Sequence, residues 1–361
     1  MTTTNATSEV VRSLEGSPGS NHARKKYHMP EKLQVSIIGL GLIGASAGLA
    51  LHRYHEKLTV VGHDRSPELS SKAKRSGAVD RTEWNLINAV VNADRLIIAL
   101  PLSEIRAALD AIKQDLQPGC IVVDTADVKT QVMEWAAELL PPEVHFVGGH
   151  PIVLSETLEP DGARADLFQG KLFCLTPSTR TDATAVQLAA DVAEALGAKP
   201  YFLDAQEHDG LVAGVEHLPS LLAAALMSIT SDSAGWKDMR KLAANQYFAS
   251  TLLTARSGAE ALAGPLANRE HAIHWLDAAI AELTLYRDEL ARGEADQLVG
   301  RVDRGLAAGY SWLNATYTGN WDADPNAAAD LPSARSSMRD MFFGRLRIPD
   351  RAKQADQGKK K

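Results

Sequence analysis

Short apolar runs bounded by turn residues recur along the first half of this chain: QVSIIGL (34–40), LTVVGHD (58–64), ADRLIIALP (93–101), GCIVVDTAD (119–127), VHFVGGH (144–150) and LFCLTP (172–177). Between them lie stretches with helical spacing, among them GASAGLALHRY (44–54), SPELSSKAKRSG (66–77) and a segment beginning at Ser103. Strands covered by helices on both faces read as unbroken apolar runs. The alternation therefore predicts an α/β fold, a Rossmann-type doubly wound parallel sheet over residues 33–205, with AKPYFL (198–203) as an edge strand.

After residue 206 the period changes. EHDGLVAGVEHLPSLLAAALMSITSDSAG (207–235), ANQYFASTLLTARSGAEALAG (244–264) and NREHAIHWLDAAIAELTLYRDELARG (268–293) all space their apolar positions along one helix face. An all-helical domain over 206–315 follows, with apolar helices that bury against a second copy of the chain. Residues 1–32 are polar, lack the apolar core of a secretory signal, and read as a disordered tail. Residues 316–361 read as a mostly irregular extension with one short helix at SSMRDMFFGRL (336–346). The most apolar run, VSIIGLGLIGASAGLAL (35–51), is short for a bilayer span and rich in glycine, so a strand–turn–helix is expected and no membrane partner.

Composition narrows the function classes. With 361 residues and 45% apolar content there is material for two cored domains. Net charge is −7 with basic residues scattered, which argues against a nucleic-acid partner. Cys120 and Cys174 lack metal-spaced partners, so no metal site is expected, and a cytoplasmic location fits.

The chemistry gathers where strands end. Gly39, Gly41 and Gly44 form G-x-G-x-x-G between the first strand and first helix, with Leu42 and Ile43 at the helix start. These glycines allow a tight turn, a close approach to a pyrophosphate, and helix–strand packing. Asp64 ends the second strand, where a carboxylate can bind a ribose hydroxyl, so the cofactor expected is NAD. Arg65 could pair with a 2′-phosphate if Asp64 turned away, which leaves NADP open. Pro101, after the third long strand, borders the same crevice, as do DTADVK (124–129) and His150 in VGGHPIVLSE (147–156). By itself His150 is either a catalytic base or a turn residue.

GLGLIG, VVDTADVK, VGGHPIVLSE with LFQGKLFCLTP, and EHDGLVAGVEHLP together resemble the prephenate/arogenate dehydrogenase family of tyrosine biosynthesis, from about residue 33 to 295. The resemblance implies a dimeric enzyme that oxidises the ring hydroxyl of a small cyclohexadienol and releases its ring carboxylate as carbon dioxide. The product would be 4-hydroxyphenylpyruvate from prephenate, or tyrosine from arogenate. It makes His150 the catalytic histidine, with Ser155 and Asp127 at hydroxyl-bearing positions beside it. It also assigns substrate contacts to Lys129, Glu216, His217 and Ser220, and a carboxylate-binding cation to Arg240 or Lys241. Asp127, Glu216 and Ser220 depart from the family pattern, and so do Val153 and Leu154 after the GGHP box. Two added acids would attract an ammonium, which favours arogenate or an amino-substituted relative; the same acids could instead pair with Arg240 or Lys241. The alternatives are a β-hydroxyacid-type dehydrogenase and a non-catalytic dinucleotide-binding relative with a decayed pocket.

Overall fold

The computed structural model describes residues 32–154, 162–251 and 258–321. The tail before residue 32, Ser155 and the expected helix at 336–346 lie outside them. The first elements are β1 (Leu33–Ile38), α1 (Leu42–Leu51), β2 (Leu58–His63), α2 (Pro67–Arg75), β3 (Arg81–Thr82), α3 (Leu86–Val90), β4 (Arg95–Ile98), α4 (Leu102–Ile112), β5 (Ile121–Asp124), α5 (Thr130–Leu139) and β6 (His145–Pro151). They are followed by β7 (Leu172–Thr176), α6 (Ala183–Ala195) and β8 (Lys199–Phe202). The strands form one eight-stranded sheet in the order β3-β2-β1-β4-β5-β6-β7-β8.

Alternate strand residues point to opposite faces, and each face has its own core. Ile37, Ile97, Val123 and Val147 pack with α1 and α6 on one side. Ile38, Leu96, Ile98 and Val122 pack with α4 and α5 on the other.

The sheet is not wholly parallel as expected. β6 runs parallel to β5 but antiparallel to β7, with His150 opposite Cys174, while β7 and β8 are parallel to each other. The reason is where the crossover falls: α6 lies between β7 and β8, and a parallel pair needs such a crossover. Two glycines permit this seam. A Cβ on Gly148 would strike the Thr176 hydroxyl, and one on Gly149 would fall 2.8 Å from the Phe173 ring.

Helices follow: α7 (Ala205–Val212), a π-helical turn (Ala213–His217), α8 (Leu218–Ser231), α9 (Trp236–Leu242), α10 (Asn245–Thr251), α11 (Gly258–Ala267), α12 (Arg269–Arg292) and α13 (Ala295–Thr318). The chain divides into compact units at Ala279/Ile280, so the helices up to that point belong with the sheet. In the second unit, Arg301 of α13 binds Glu282 at 3.0 Å and Glu289 at 2.6 Å. α13 continues to Thr318, past the expected start of irregular chain at 316, and ends where Gly319 turns left-handed at φ 68°.

The ends of β5 and β6 are tied by a buried ion pair. Lys129, fully buried, donates from Nζ to Asp124 Oδ2 and, at 2.6 Å, to the Gly149 carbonyl. Asp124 Oδ1 accepts the Gly149 N–H at 2.9 Å, and Oδ2 accepts the Ala126 N–H at 2.9 Å. Removing one partner leaves the other as an uncompensated buried charge. Lys129→Met is therefore expected to cost about 3–5 kcal/mol in urea unfolding. The double variant with Asp124→Asn, which removes the stranded charge, should recover a large part of that loss.

Candidate active site

The glycine loop is shaped for a dinucleotide. Gly39 sits at φ +90°, and a Cβ there would fall 2.8 Å from the Ala99 carbonyl carbon. A Cβ on Gly44 would collide with the Gly39 carbonyl, whereas one on Gly41 would meet nothing within 4 Å. The first and third glycines thus pack the turn, and the second borders open space. Gly41 caps α1 without any side-chain hydrogen bond, so the first N–H groups of the helix, at Leu42 and Ile43, carry a partial positive charge with no side chain to answer it. The Leu42 side chain itself is buried in the core. An anionic pyrophosphate fits this cradle.

Asp64 is fixed by two backbone donors, Leu40 N–H to Oδ2 and Ser66 N–H to Oδ1, both at 2.8 Å. It is held beside the loop and does not turn away. Arg65 reaches back to Glu104 at 2.8 Å on the surface. Pro101 is exposed at the N-terminus of α4.

His150 closes β6, which places it at the carboxyl end of the sheet, as β1 and β4 place the loop and Pro101. It is 6% exposed. Its Nδ1 lies 3.0 Å from His208 Nε2, and His208 Nδ1 lies 2.9 Å from Asp209 Oδ1. Its other nitrogen, Nε2, lies 3.5 Å from Glu216 Oε1. Burial, reinforced by His208 and the Lys129 ammonium, pushes the His150 pKa down to about 3. The imidazole is therefore neutral, with a lone pair that can accept a hydrogen bond.

Glu216 and His217 lie on the π-helical turn between α7 and α8. The Leu218 N–H there bonds to the Ala213 carbonyl, five residues back. Pro219, placed in the first turn of α8, has no N–H for the ordinary four-residue bond, and the wide turn precedes it. His217 Nε2 faces Asp127 Oδ2 at 3.5 Å. Burial opposes the Asp127 charge, but the imidazole of His217 facing it, together with that of His150 nearby, outweighs it and holds the carboxyl at about 2. α11 covers this pair closely, since a Cβ on Gly264 would fall 2.7 Å from His217 Nε2 and 2.9 Å from Asp127 Oδ2.

Several expected site residues stand elsewhere. Lys129 is sealed in the core with its ammonium committed to Asp124 and Gly149, so it braces the strand ends and does not line the pocket. Ser220 donates its hydroxyl to the Glu216 carbonyl at 3.0 Å, a bond within the helix. Arg240 is exposed on α9, and Lys241 beside it pairs with Asp238 at 2.8 Å. The two acids face histidines, Glu216 toward His150 and Asp127 toward His217. His208 and Asp209 belong to the segment EHDGLVAGVEHLP but carry no site role in the sequence reading. Their signal was a His-Asp pair at the start of an otherwise apolar helical run, where both are buried and must be hydrogen-bonded.

Comparison with known proteins agrees with this geometry. Residues 47–202 match the family model described as prephenate dehydrogenase, nucleotide-binding domain, and residues 204–303 match prephenate dehydrogenase, dimerization domain. The glycine loop lies just ahead of the first match. A cyclohexadienyl dehydrogenase from Zymomonas mobilis is 29% identical over 73% of this chain and 91% of its own length. A prephenate dehydrogenase from Bacillus subtilis is 27% identical over 73% of this chain and 72% of its own length. The solved arogenate dehydrogenase of Synechocystis superposes with a TM-score of 0.65 at 25% identity, covering 78% of this chain and all of that one. With both family domains matched in order and a histidine held between a nucleotide cradle and a helical domain, this chain belongs to the prephenate/arogenate dehydrogenase family.

Proposed function

We propose that this chain oxidises a cyclohexadienol with NAD and that His150 Nε2 is the base. The observation that carries the reading is the neutral, nearly buried imidazole at the carboxyl end of β6, on the same sheet edge as the uncapped helix α1. Leu42 and Ile43 hold the pyrophosphate through their N–H groups, and Asp64 takes the ribose hydroxyls. NAD, when bound, supplies the hydride acceptor. His150 accepts the hydroxyl proton as hydride leaves, and loss of the ring carboxylate as carbon dioxide makes the ring aromatic. Cys120 and Cys174, both buried free thiols, fit a reducing cytoplasm.

The working unit is a homodimer through the helical domain. Val215, Ile229, Leu242 and Phe248 are 72%, 72%, 84% and 63% exposed in the single chain. Ala205–Ser231 is long and apolar enough to cross a membrane by length and composition. It also carries His208, Asp209, Glu216 and His217 into the site, so its apolar outer face is read as covered by the second copy. Arg240 remains the candidate for gripping a substrate carboxylate, through its planar fork.

The acids at the site favour a substrate that carries an ammonium, hence arogenate over prephenate. Glu216, 3.5 Å from the base, and Asp127, held ionised, would repel a second carboxylate.

His150→Asn should abolish NADH formation at 340 nm, a fall of about 10²-fold or more, while NAD still binds. Because its folded pKa is depressed, His150 stays a neutral base as the medium is acidified. The acid limb of kcat/KM should therefore lie below the ordinary histidine range. For specificity, arogenate should show the higher kcat/KM, and Glu216→Ser should shift the ratio toward prephenate. A prephenate preference that Glu216→Ser leaves unchanged would refute the charge reading.

A further inference from the structure

His208 and Asp209 are both buried on α7. The Asp209 carboxylate is saturated with donors. Oδ1 accepts the Lys129 N–H at 2.7 Å and His208 Nδ1 at 2.9 Å, and Oδ2 accepts the Thr130 N–H at 2.9 Å. Its own carbonyl accepts from Asn268 Nδ2 at 2.6 Å, so the turn between α11 and α12 braces it as well. Burial would raise its pKa, but the His208 bond and the two backbone N–H groups outweigh that and hold the carboxyl below the usual range. Asp209 is an anion that can only accept.

That one fact orders the rest of the row. His208 Nδ1 must carry the hydrogen, so neutral His208 presents a lone pair at Nε2. His150 Nδ1, 3.0 Å away, must then carry its hydrogen, which leaves the lone pair of His150 at Nε2 on the side of Glu216. The opposite tautomer of either ring would set two N–H groups or two lone pairs against each other.

We propose that His208 and Asp209 are positioning residues that fix the tautomer of His150 and give the abstracted proton a second seat. This rests on the reading of His150 as the base. The surroundings explain why a second seat matters. The Lys129 ammonium faces His150 from the β5 end and disfavours a cation there, with Asp124 and Asp127 on the same segment. Glu216 and His217 face it from the π-helical turn, and Cys174 sits opposite on β7. A cation on His208 instead lies directly against ionised Asp209.

The protons balance. As hydride leaves the ring carbon, the hydroxyl proton passes to His150 Nε2 and the Nδ1 proton passes to His208 Nε2. His208 keeps its Nδ1 hydrogen on Asp209, which stays ionised. When carbon dioxide departs, its bonding pair enters the ring and leaves a phenolate. The proton returns along the same path to give the phenol, and the relay ends as it began.

The direct test is the nitrogen-15 spectrum of histidine-labelled wild-type protein, where His150 should appear as the Nδ1–H tautomer. An Nε2–H His150 overturns the proposal without any variant. In kinetics, His208→Ala should lower kcat by about 10²-fold with KM and NAD affinity near wild type, and should mix the His150 tautomers. His208→Gln, whose amide oxygen can accept from Nδ1, should recover part of kcat. A folded His208→Ala with unchanged kcat and tautomer defeats the relay while an inactive His150→Asn still supports the base. An active His150→Asn defeats the reading of the base itself.

Discussion

The site depends on the buried contact between Lys129, Asp124 and the peptide groups of Gly149. Burying an ammonium and a carboxylate is costly, and it is tolerable here because nearly every hydrogen-bonding direction is used. Asp124 takes the Gly149 N–H while Lys129 takes the Gly149 carbonyl. The two flanking peptide groups of one glycine are thus gripped from opposite ends, and the next residue is His150. The same ammonium then helps keep the His150 imidazole neutral. One ion pair aims the base and adjusts its charge.

A second constraint comes from the helical half. The backbone N–H groups of Lys129 and Thr130 are held by Asp209, so the start of α5 is fastened to the start of α7. The strand-end lock and the histidine row share Lys129, through its side chain in one case and its backbone in the other. The π-helical turn then directs two consecutive residues to different partners, Glu216 to His150 and His217 to Asp127. A plain helix turn carrying Pro219 would have left a carbonyl without its donor. The wider turn absorbs that defect, and the irregular backbone falls at the site.

What could be read from the sequence was local. The strands of the sheet, the glycine loop and the end of β2 at Asp64 are short-range patterns, and each has one dominant physical reading. His150 was legible because two glycines and a proline flank it. Three features were not, and all three depend on what lies across the fold. β7 reverses because its crossover helix comes after it, and an apolar run carries no direction. Lys129 is a substrate contact by resemblance until β6 is laid beside β5, when the Asp124 carboxylate and the Gly149 carbonyl enclose it. His208 and Asp209 stand in the sequence only as part of the segment EHDGLVAGVEHLP, with no partner in view. Their role exists only once His150 arrives from the sheet.

The acids show how the two halves decide the chemistry together. In sequence, Asp127 and Glu216 are isolated departures from a family pattern, and pairing with Arg240 or Lys241 is an equally good account of them. In the fold, each acid has a histidine opposite it, while Lys241 is occupied by Asp238 on its own exposed helix. The two acids thus stand against histidines at the site. The His150 imidazole has charges of opposite sign near it, the Lys129 ammonium that disfavours a cation on the ring and the Glu216 carboxylate 3.5 Å from Nε2. The row through His208 ends on the Asp209 carboxylate, which several donors hold ionised. The tautomer of the base, its neutrality and the sign of the pocket then follow from one arrangement of buried charges.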